Sequence, residues 1–308
     1  MPADGERLAQ IKSNLKRRAR IYDLAREFFR GRGFLEVETP VRAPTIAPEI
    51  NIAPVESDGW YLITSPELHM KRLLAAGYAQ IFQISHCFRK GERGRLHNPE
   101  FSLLEWYRAG AGCMDVISDT EQLVATLAKK LHLGNIINYQ GQSIDLRLPW
   151  LRLRVRDAFI KSAGWDPVMN YDAERFDHDM ATLVLPNLDA SRPTVLMEYP
   201  AAAASLARLK AGDPRVAERA EVFIGGLELA NAYSELTDRE EQKKRFTLEI
   251  EQIERQQGRK MQMPESFIEA VGYMPECGGI ALGMERLVML LSDAASIDEV
   301  CAFTVDNA

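Results

Sequence analysis

The stretch GGIALGMER, residues 278–286, carries the features that decide the fold. Gly279, Ala281 and Gly283 alternate, so in a β-strand all three face the same side of the sheet. Glycine weakens a strand, and it usually marks a bulge or a place where another group lies close to the backbone. A charged Glu-Arg pair follows at once. The pattern predicts a strand that forms the bare floor of a pocket, with one methyl group, that of Ala281, in its middle.

The composition is that of an ordinary soluble globular protein. The chain has 308 residues, of which 46% are hydrophobic and 27% charged. The first twenty residues are polar and basic, so we expect no secretory signal, and no run of 18 apolar residues predicts a membrane helix. The formal net charge of −6 argues against a broad nucleic-acid surface.

The four cysteines show neither metal-binding spacing nor a disulfide pattern. We expect free thiols in a reducing compartment, hence a cytoplasmic protein without a zinc site. A basic stretch, Lys16 to Arg20, has two interpretations. It is either a solvated helix face or a docking surface for an acidic partner.

Hydrophobic periodicity outlines the elements. Helices are expected at 6–30, 115–132 and 238–257, and another begins near Ser65 and Pro66 and ends near Gly77. Strands are expected at 60–64, 79–89, 99–108 and 278–284, the last running into a helix at 285–292. Residues 140–217 show no clear order. Strands dispersed among helices, with hairpins, predict an α+β fold on a largely antiparallel sheet.

Gly225-Gly226 is a two-residue hairpin signal. A turn there sets residue 221 opposite 230 and puts Glu221 and Glu228 on one face as diagonal neighbours. Adjacent carboxylates repel unless a cation lies between them, and Mg²⁺ shared with nucleotide phosphates is one solution. Two solvated glutamates on an exposed face are an equal alternative.

A second chemical signal lies in FRKGERGRLHNPEFSLLEWYR, residues 88–108. Arg89 ends one strand and Phe101 begins the next, so the pair could hold a phosphate and stack on a base. Glu105 and Tyr107 share a face and could hold an ammonium group. The alternative is a surface hairpin with a solvated loop.

Three segments resemble the three motifs of class II aminoacyl-tRNA synthetases: GFLEVETP, FR…RLHNPEF and GIALGMER. SPELHMKRL, HNPEFSLLEWY and ELANAYSELTD resemble the lysyl-tRNA synthetase branch in particular. The resemblance runs from about residue 12 to 305. Because Pro40 lies so near the start, we expect a single catalytic domain over residues 1–308 without the N-terminal anticodon-binding OB-fold of that branch. Such an arrangement, together with PAAAASLARL, GDPRVAERAEV and CAFTVDNA, resembles the bacterial ligases that attach (R)-β-lysine to elongation factor P.

The resemblance implies a role for each matching residue. Arg89 and Arg286 would be catalytic, and Arg89 would hold the α-phosphate of ATP and the substrate carboxylate. The implied ATP and Mg²⁺ contacts are Arg89, His97, Asn98, Phe101, Glu221, Glu228 and Arg286, with Phe101 on adenine and the metal on Glu221 and Glu228. The implied amino-acid contacts are Ser65, Glu67, Glu105, Tyr107, Asn231, Glu235, Ala281 and Gly283, with Glu67 at the amino group nearer the carboxylate. One departure is in the second motif, where Gly91 stands at the usual acid position and Glu92 follows it.

The expected function is ATP-dependent activation of a lysine-like amino acid, β-lysine or lysine, and its transfer to a lysine ε-amine of elongation factor P. The first motif commonly forms a homodimer interface in this class, so a homodimer is expected. Two alternatives remain: a stand-alone enzyme that acts on tRNA or another small acceptor, and an inactive paralogue that serves as a binding module. The retained charged residues disfavour the latter.

Overall fold

The computed structural model describes residues 5–308. Its α-helices, in chain order α1 to α9, are Gly5–Gln10, Lys12–Arg30, Glu67–Ala75, Cys113–Lys130, Val155–Ala163, Ala173–Asp179, Arg239–Gln257, Glu265–Val271 and Met284–Ser292. Its strands, β1 to β14, are Leu35–Glu36, Arg42–Ala43, Val55–Ser57, Trp60–Leu62, Gln80–Phe88, Glu100–Ala109, Ile136–Tyr139, Gln142–Asp145, Leu151–Arg154, Thr194–Pro200, Leu209–Lys210, Asp213–Ile224, Leu227–Ser234 and Cys277–Gly283.

Within these residues, one sheet of nine strands organises the molecule. Its order is β1-β5-β6-β14-β13-β12-β10-β9, with β11 beside β12. Only β1 with β5 and β9 with β10 pair in parallel, so the predicted α+β fold on a largely antiparallel sheet is confirmed. The first motif contributes a strand of only two residues, Leu35–Glu36.

The two faces of the central strands have different environments. Trp106, Leu104, Ile280 and Leu282 point into the main core, where α2, α4 and α9 cover the sheet. Alternate residues such as Tyr107 point to the opposite face, which α3 and α8 cover only in part. Because successive side chains point to opposite faces, the residues that alternate with the core residues line the open part of this second face.

The predicted hairpin at Gly225-Gly226 is confirmed, with φ of 58° and 80° at the two glycines, as a tight type I′ turn requires. The predicted pairing beyond the turn is wrong by one residue. A β-bulge follows the pair Phe223 and Glu228, so Glu221 lies opposite Asn231 rather than residue 230.

The basic stretch in α2 is only partly solvated. Arg18 Nη2 lies 2.7 Å from Glu285 Oε1, and Arg17 donates to the Leu291 carbonyl at 2.9 Å, so both side chains tie α2 to α9. Lys16 and Arg20 are exposed. In the described part of the chain no helix is long and apolar enough to cross a membrane.

Candidate active site

The floor of the candidate site is a row of residues that crosses four strands. Glu105 on β6 pairs with Ala281 on β14, which pairs with Asn231 on β13, and Asn231 pairs with Glu221 on β12. Directly paired residues share a face, so all four lie on the same side of the sheet. The Ala281 methyl group therefore stands between an acidic and an amide side chain.

The glycines near Ala281 differ in what a side chain at each position would contact. A Cβ at Gly279 would lie 2.1 Å from Glu235 Oε1 and 2.4 Å from Tyr107 Cε1, so these two side chains cross directly over the bare backbone. A Cβ at Gly278 would lie 2.6 Å from the Gly112 carbonyl on the other face. Gly283 is different, because a Cβ there would meet nothing closer than Arg286 at 3.8 Å. The open space beside the Gly283 backbone is therefore part of the pocket.

One end of the pocket is acidic and buried. The Glu105 side chain accepts hydrogen bonds from Ser65 Oγ at 2.6 Å and from the Tyr107 hydroxyl at 3.1 Å. The pKa of Glu105 is raised to about 8, because burial and then the nearby Glu67 carboxylate outweigh the opposing effect of these two donors. Ser65 Oγ also accepts from the Glu67 amide at 3.0 Å, as the predicted helix start requires.

A buried lysine, which sequence reasoning missed, links two further carboxylates. Lys71 Nζ lies 2.5 Å from Glu67 Oε1 and 2.6 Å from Glu235 Oε2, and its side chain is 1% exposed. Burial alone would lower the pKa of Lys71, but Glu235 and Glu67 outweigh it and the pKa is raised. Glu67 and Lys71 lie four residues apart on a predicted helix, and this spacing could have indicated that the two side chains interact. Glu235 Oε1 keeps no hydrogen-bond partner among the described residues.

The opposite end of the pocket is basic. The Arg89 guanidinium lies 5.0 Å from the centre of the Phe101 ring, and Arg89 Nη1 lies 3.7 Å from Glu92 Oε1. The acid displaced by one position in the second motif thus still faces this arginine. Buried Arg89 Nε has no partner within residues 5–308, which leaves a donor for a ligand.

His97 and Arg286 form a second basic pair. Arg286 Nη2 and His97 Nε2 are 2.8 Å apart, and Arg286 Nη1 donates to the Glu228 carbonyl at 2.8 Å. Burial, followed by the charge of Arg286, lowers the pKa of His97. The imidazole is therefore neutral near pH 7, and its lone pair can accept the arginine N–H.

The two glutamates predicted to hold a metal differ in surroundings. Glu228 lines the pocket and lies 3.4 Å from Arg286, whereas Glu221 lies outside the pocket lining and pairs with Arg219 at 2.6 Å. Burial raises the pKa of Glu221; Arg219 lowers it and Glu228 raises it. No group of three or more metal-binding side chains occurs in the described residues. The carboxylate oxygens fit Mg²⁺ only if phosphates supply most of the ligands.

Two predicted contacts are engaged within the chain. Asn98 Nδ2 donates to the Glu100 carbonyl at 2.6 Å, and Asn98 Oδ1 accepts from the Val305 amide at 3.0 Å. Asn98 therefore fastens the turn of the second motif to the C-terminal segment. Asn231 Nδ2 donates to the Tyr233 hydroxyl at 3.0 Å, while its Oδ1 has no partner in the part of the chain described.

One pocket brings the predicted residues together. It is lined by every predicted ATP or amino-acid contact except Glu221. Sequence reasoning missed several lining residues, chiefly Glu49, Ile52, Leu96 and Tyr233. The pocket offers carboxylates at one end and guanidinium and imidazole groups at the other.

Comparison with known proteins agrees with this geometry. The family model described as class II tRNA synthetases (D, K and N) matches residues 4–307. Proteins named elongation factor P–(R)-β-lysine ligase are similar over 96% of this chain and 96% of their own length. The protein from Salmonella paratyphi A is 37% identical over 315 residues, and that from Pectobacterium carotovorum is 36% identical over 317.

Proposed function

The chain belongs to the class II tRNA synthetase family (D, K and N), and from this premise we propose that it is an ATP-dependent ligase that activates a lysine-like diamino acid and transfers it to a protein lysine. The observation that carries the proposal is the division of one pocket into an acidic and a basic end, on either side of the Ala281 floor. The acidic end can bind the ammonium groups of a diamino acid, and the basic end can bind the phosphates of ATP.

Activation joins the substrate carboxylate to the α-phosphate of ATP. The carboxylate is already ionised at neutral pH, so the step needs no general base. Arg89 would stabilise the charge that develops on the α-phosphate, and Phe101, which the guanidinium overlies, would stack on the adenine. The products are an aminoacyl-adenylate and pyrophosphate.

His97 and Arg286 would hold the outer phosphates. Their mutual hydrogen bond and the bond from Arg286 to the Glu228 backbone fix both side chains before ATP arrives. Glu221 and Glu228 would hold Mg²⁺, whose bound charge would neutralise the phosphates. The Arg219 and Arg286 side chains would then share these carboxylates with the metal.

The acidic end would bind the amino acid. Glu105, oriented by Ser65 and Tyr107, and Glu235, oriented by Lys71, would take the distal ammonium group. Asn231 would contact the substrate carboxylate, and Gly283 would leave room beside it. The family resemblance implies that Glu67 contacts the nearer amino group, although the Glu67 carboxylate already pairs with Lys71.

The names of the relatives indicate the acceptor and the isomer of the amino acid. We propose that the acceptor is elongation factor P and that (R)-β-lysine is the activated amino acid. A cytoplasmic homodimer, joined through the first motif, is the proposed assembly. In transfer, the acceptor amine attacks the adenylate carbonyl and AMP leaves.

Amino-acid-dependent exchange of pyrophosphate into ATP tests the activation step. We expect exchange with a lysine isomer, and we expect Arg89→Ala to lower its rate by at least ~10²-fold, the typical loss for one preorganised electrostatic donor. Arg93, which pairs with Asp306 outside the pocket lining, offers a matched control. Exchange that stays within a few-fold of the wild-type rate in the Arg89 variant would refute this assignment.

A further inference from the structure

Glu49 is distinguished from the other carboxylates of the pocket wall by its lack of a partner. Six others are each held by a cation or a hydrogen-bond donor: Glu67, Glu92, Glu105, Glu228, Glu235 and Glu285. Within residues 5–308, no donor or cation lies in hydrogen-bond or ion-pair distance of the Glu49 carboxylate. Glu49 is half-buried in the pocket lining, so this unpaired carboxylate is available to a ligand that enters the pocket.

The loop that carries Glu49 is fixed from outside the pocket. It connects β2 and β3 and packs on α7 and the residues after it. The Ile50 amide donates to Glu249 Oε1 at 2.7 Å, Gln257 Nε2 donates to the Ile50 carbonyl at 2.7 Å, and Arg259 Nη1 donates to the Ile52 carbonyl at 3.2 Å. These bonds hold the backbone immediately after Glu49, so the carboxylate is positioned before a ligand binds.

The charges around Glu49 indicate what ligand fits. The pKa of Glu49 is raised to about 7, chiefly by its enclosure in the pocket wall; Arg89 opposes this rise, and Glu67 and Glu249 add to it. Glu67 already has Lys71 as its cation, whereas Glu49 has none. Arg89, whose proposed ligand is the substrate carboxylate, lines the same pocket, so a cationic group held by Glu49 would lie near that carboxylate, as the nearer ammonium group of a diamino acid does.

We propose that Glu49 binds the ammonium group nearer the carboxylate of the diamino acid. The inference rests on the proposed function, because it refines the amino-acid site of that reaction. It also shifts the main contact for this group from Glu67 to Glu49. Glu67 and Lys71 then position Glu235 for the distal ammonium group.

The test removes the Glu49 carboxylate by mutation and, separately, the nearer ammonium group by the choice of substrate. Pyrophosphate exchange is measured for wild type and Glu49→Gln with 3,6-diaminohexanoate, 2,6-diaminohexanoate and 6-aminohexanoate, which lacks the nearer amino group. We expect Glu49→Gln to lower kcat/KM by about 10–100-fold for the better diamino acid, as for a lost charge-assisted hydrogen bond. With 6-aminohexanoate the change should stay within about twofold, because the partner of Glu49 is absent.

Two variants serve as controls. Glu49→Asp keeps the charge and should keep part of the preference for the diamino acid, and Glu56→Gln removes an exposed negative charge on β3 without effect. If 6-aminohexanoate turns over too slowly, its affinity measured by calorimetry with a non-hydrolysable ATP analogue replaces kcat/KM in the comparison.

Equal losses with all three compounds would overturn the inference, because Glu49 would then only support the loop. Normal exchange with slow transfer to the acceptor would overturn it as well, since Glu49 would then serve the acceptor amine. Failure of the proposed function looks different: the wild type itself would activate no diamino acid.

Discussion

At the scale of single residues, the Ala281 methyl group stands in the middle of the floor, between Glu105 and Asn231. An α-amino group branches next to the substrate carboxylate, and a β-amino group branches one carbon farther along. A methyl group beside the first carbon would disfavour the α isomer by a steric clash. The alternative is that the methyl group only fills a gap in the strand.

Replacement of Ala281 by glycine separates these alternatives. We expect Ala281→Gly to raise kcat/KM for α-lysine relative to β-lysine by at least ~10-fold, because one methyl group in a pocket typically discriminates by about 10–200-fold. Pyrophosphate exchange with each isomer gives the ratio. If the ratio is unchanged, Ala281 is a packing residue and Ser65 becomes the next candidate for selectivity.

The raised pKa of Glu105 predicts how the affinity for the diamino acid depends on pH. A pKa of about 8 in the substrate-free pocket leaves Glu105 largely protonated at pH 7, whereas an ammonium group requires the carboxylate. Affinity for the diamino acid should therefore rise as pH increases from 6 to 8 and then level off. Binding near pH 7 should also release protons, because the ammonium lowers the pKa of Glu105.

Calorimetry in two buffers of different ionisation enthalpy measures both effects. Glu105→Gln cannot ionise, so its affinity should be weaker and its proton release smaller. An affinity of the wild type that does not change between pH 6 and 8.5 would contradict the assignment of Glu105 to an ammonium group.

The residues missed by sequence reasoning have physical explanations. Lys71 shares a helix face with Glu67, and a pair at this spacing normally predicts an exposed salt bridge. The burial of Lys71 depends instead on its tertiary contact with Glu235, which the local sequence does not reveal. Glu49 lies in an irregular loop, where no periodicity predicts the direction of a side chain. Alternation within strands, by contrast, correctly placed Glu105 and Tyr107 on one face of β6, and Gly279, Ala281 and Gly283 on one face of β14.

At the scale of elements, β14 offers a matched pair of glycines on one face. Gly279→Ala forces a methyl group onto the Tyr107 ring and the Glu235 carboxylate, so it should destabilise the fold by roughly 1–3 kcal/mol, as overpacking typically does. Gly283→Ala meets no such contact and should leave the melting temperature close to that of the wild type. Its effect should fall on substrate binding instead.

Thermal unfolding of the two variants without ligands provides the measurement. Equal melting temperatures would show that Tyr107 and Glu235 can move aside, and hence that the floor does not hold them in place. Gly278→Ala is a useful companion, because its methyl group would press on Gly112 from the other face.

The hairpin of β12 and β13 shows the limit of prediction at this scale. The Gly225-Gly226 pair predicted the turn, because both residues need positive φ. The bulge beyond Phe223 adds one residue to β13, and alternation in the sequence does not reveal such an insertion. Glu221 and Glu228 still share a face, but only Glu228 lines the pocket.

At the scale of the whole molecule, the sheet separates packing from chemistry. Its covered face holds the main core with α2, α4 and α9, and its other face holds the pocket. The order of motifs sufficed to predict this fold. Residues 140–217 could not be ordered, because their strands are short and β9 joins the sheet edge in parallel through β10, a pairing that local periodicity does not encode.

The proposed role of this pocket is to activate an amino acid for transfer to a protein. The most direct measurement offers purified elongation factor P and purified tRNA, in separate reactions, to the enzyme with ATP, Mg²⁺ and radiolabelled β-lysine. We expect label on elongation factor P that survives mild base, as an amide does, and no label on tRNA. Label on tRNA that mild base removes, with elongation factor P unlabelled, would contradict it.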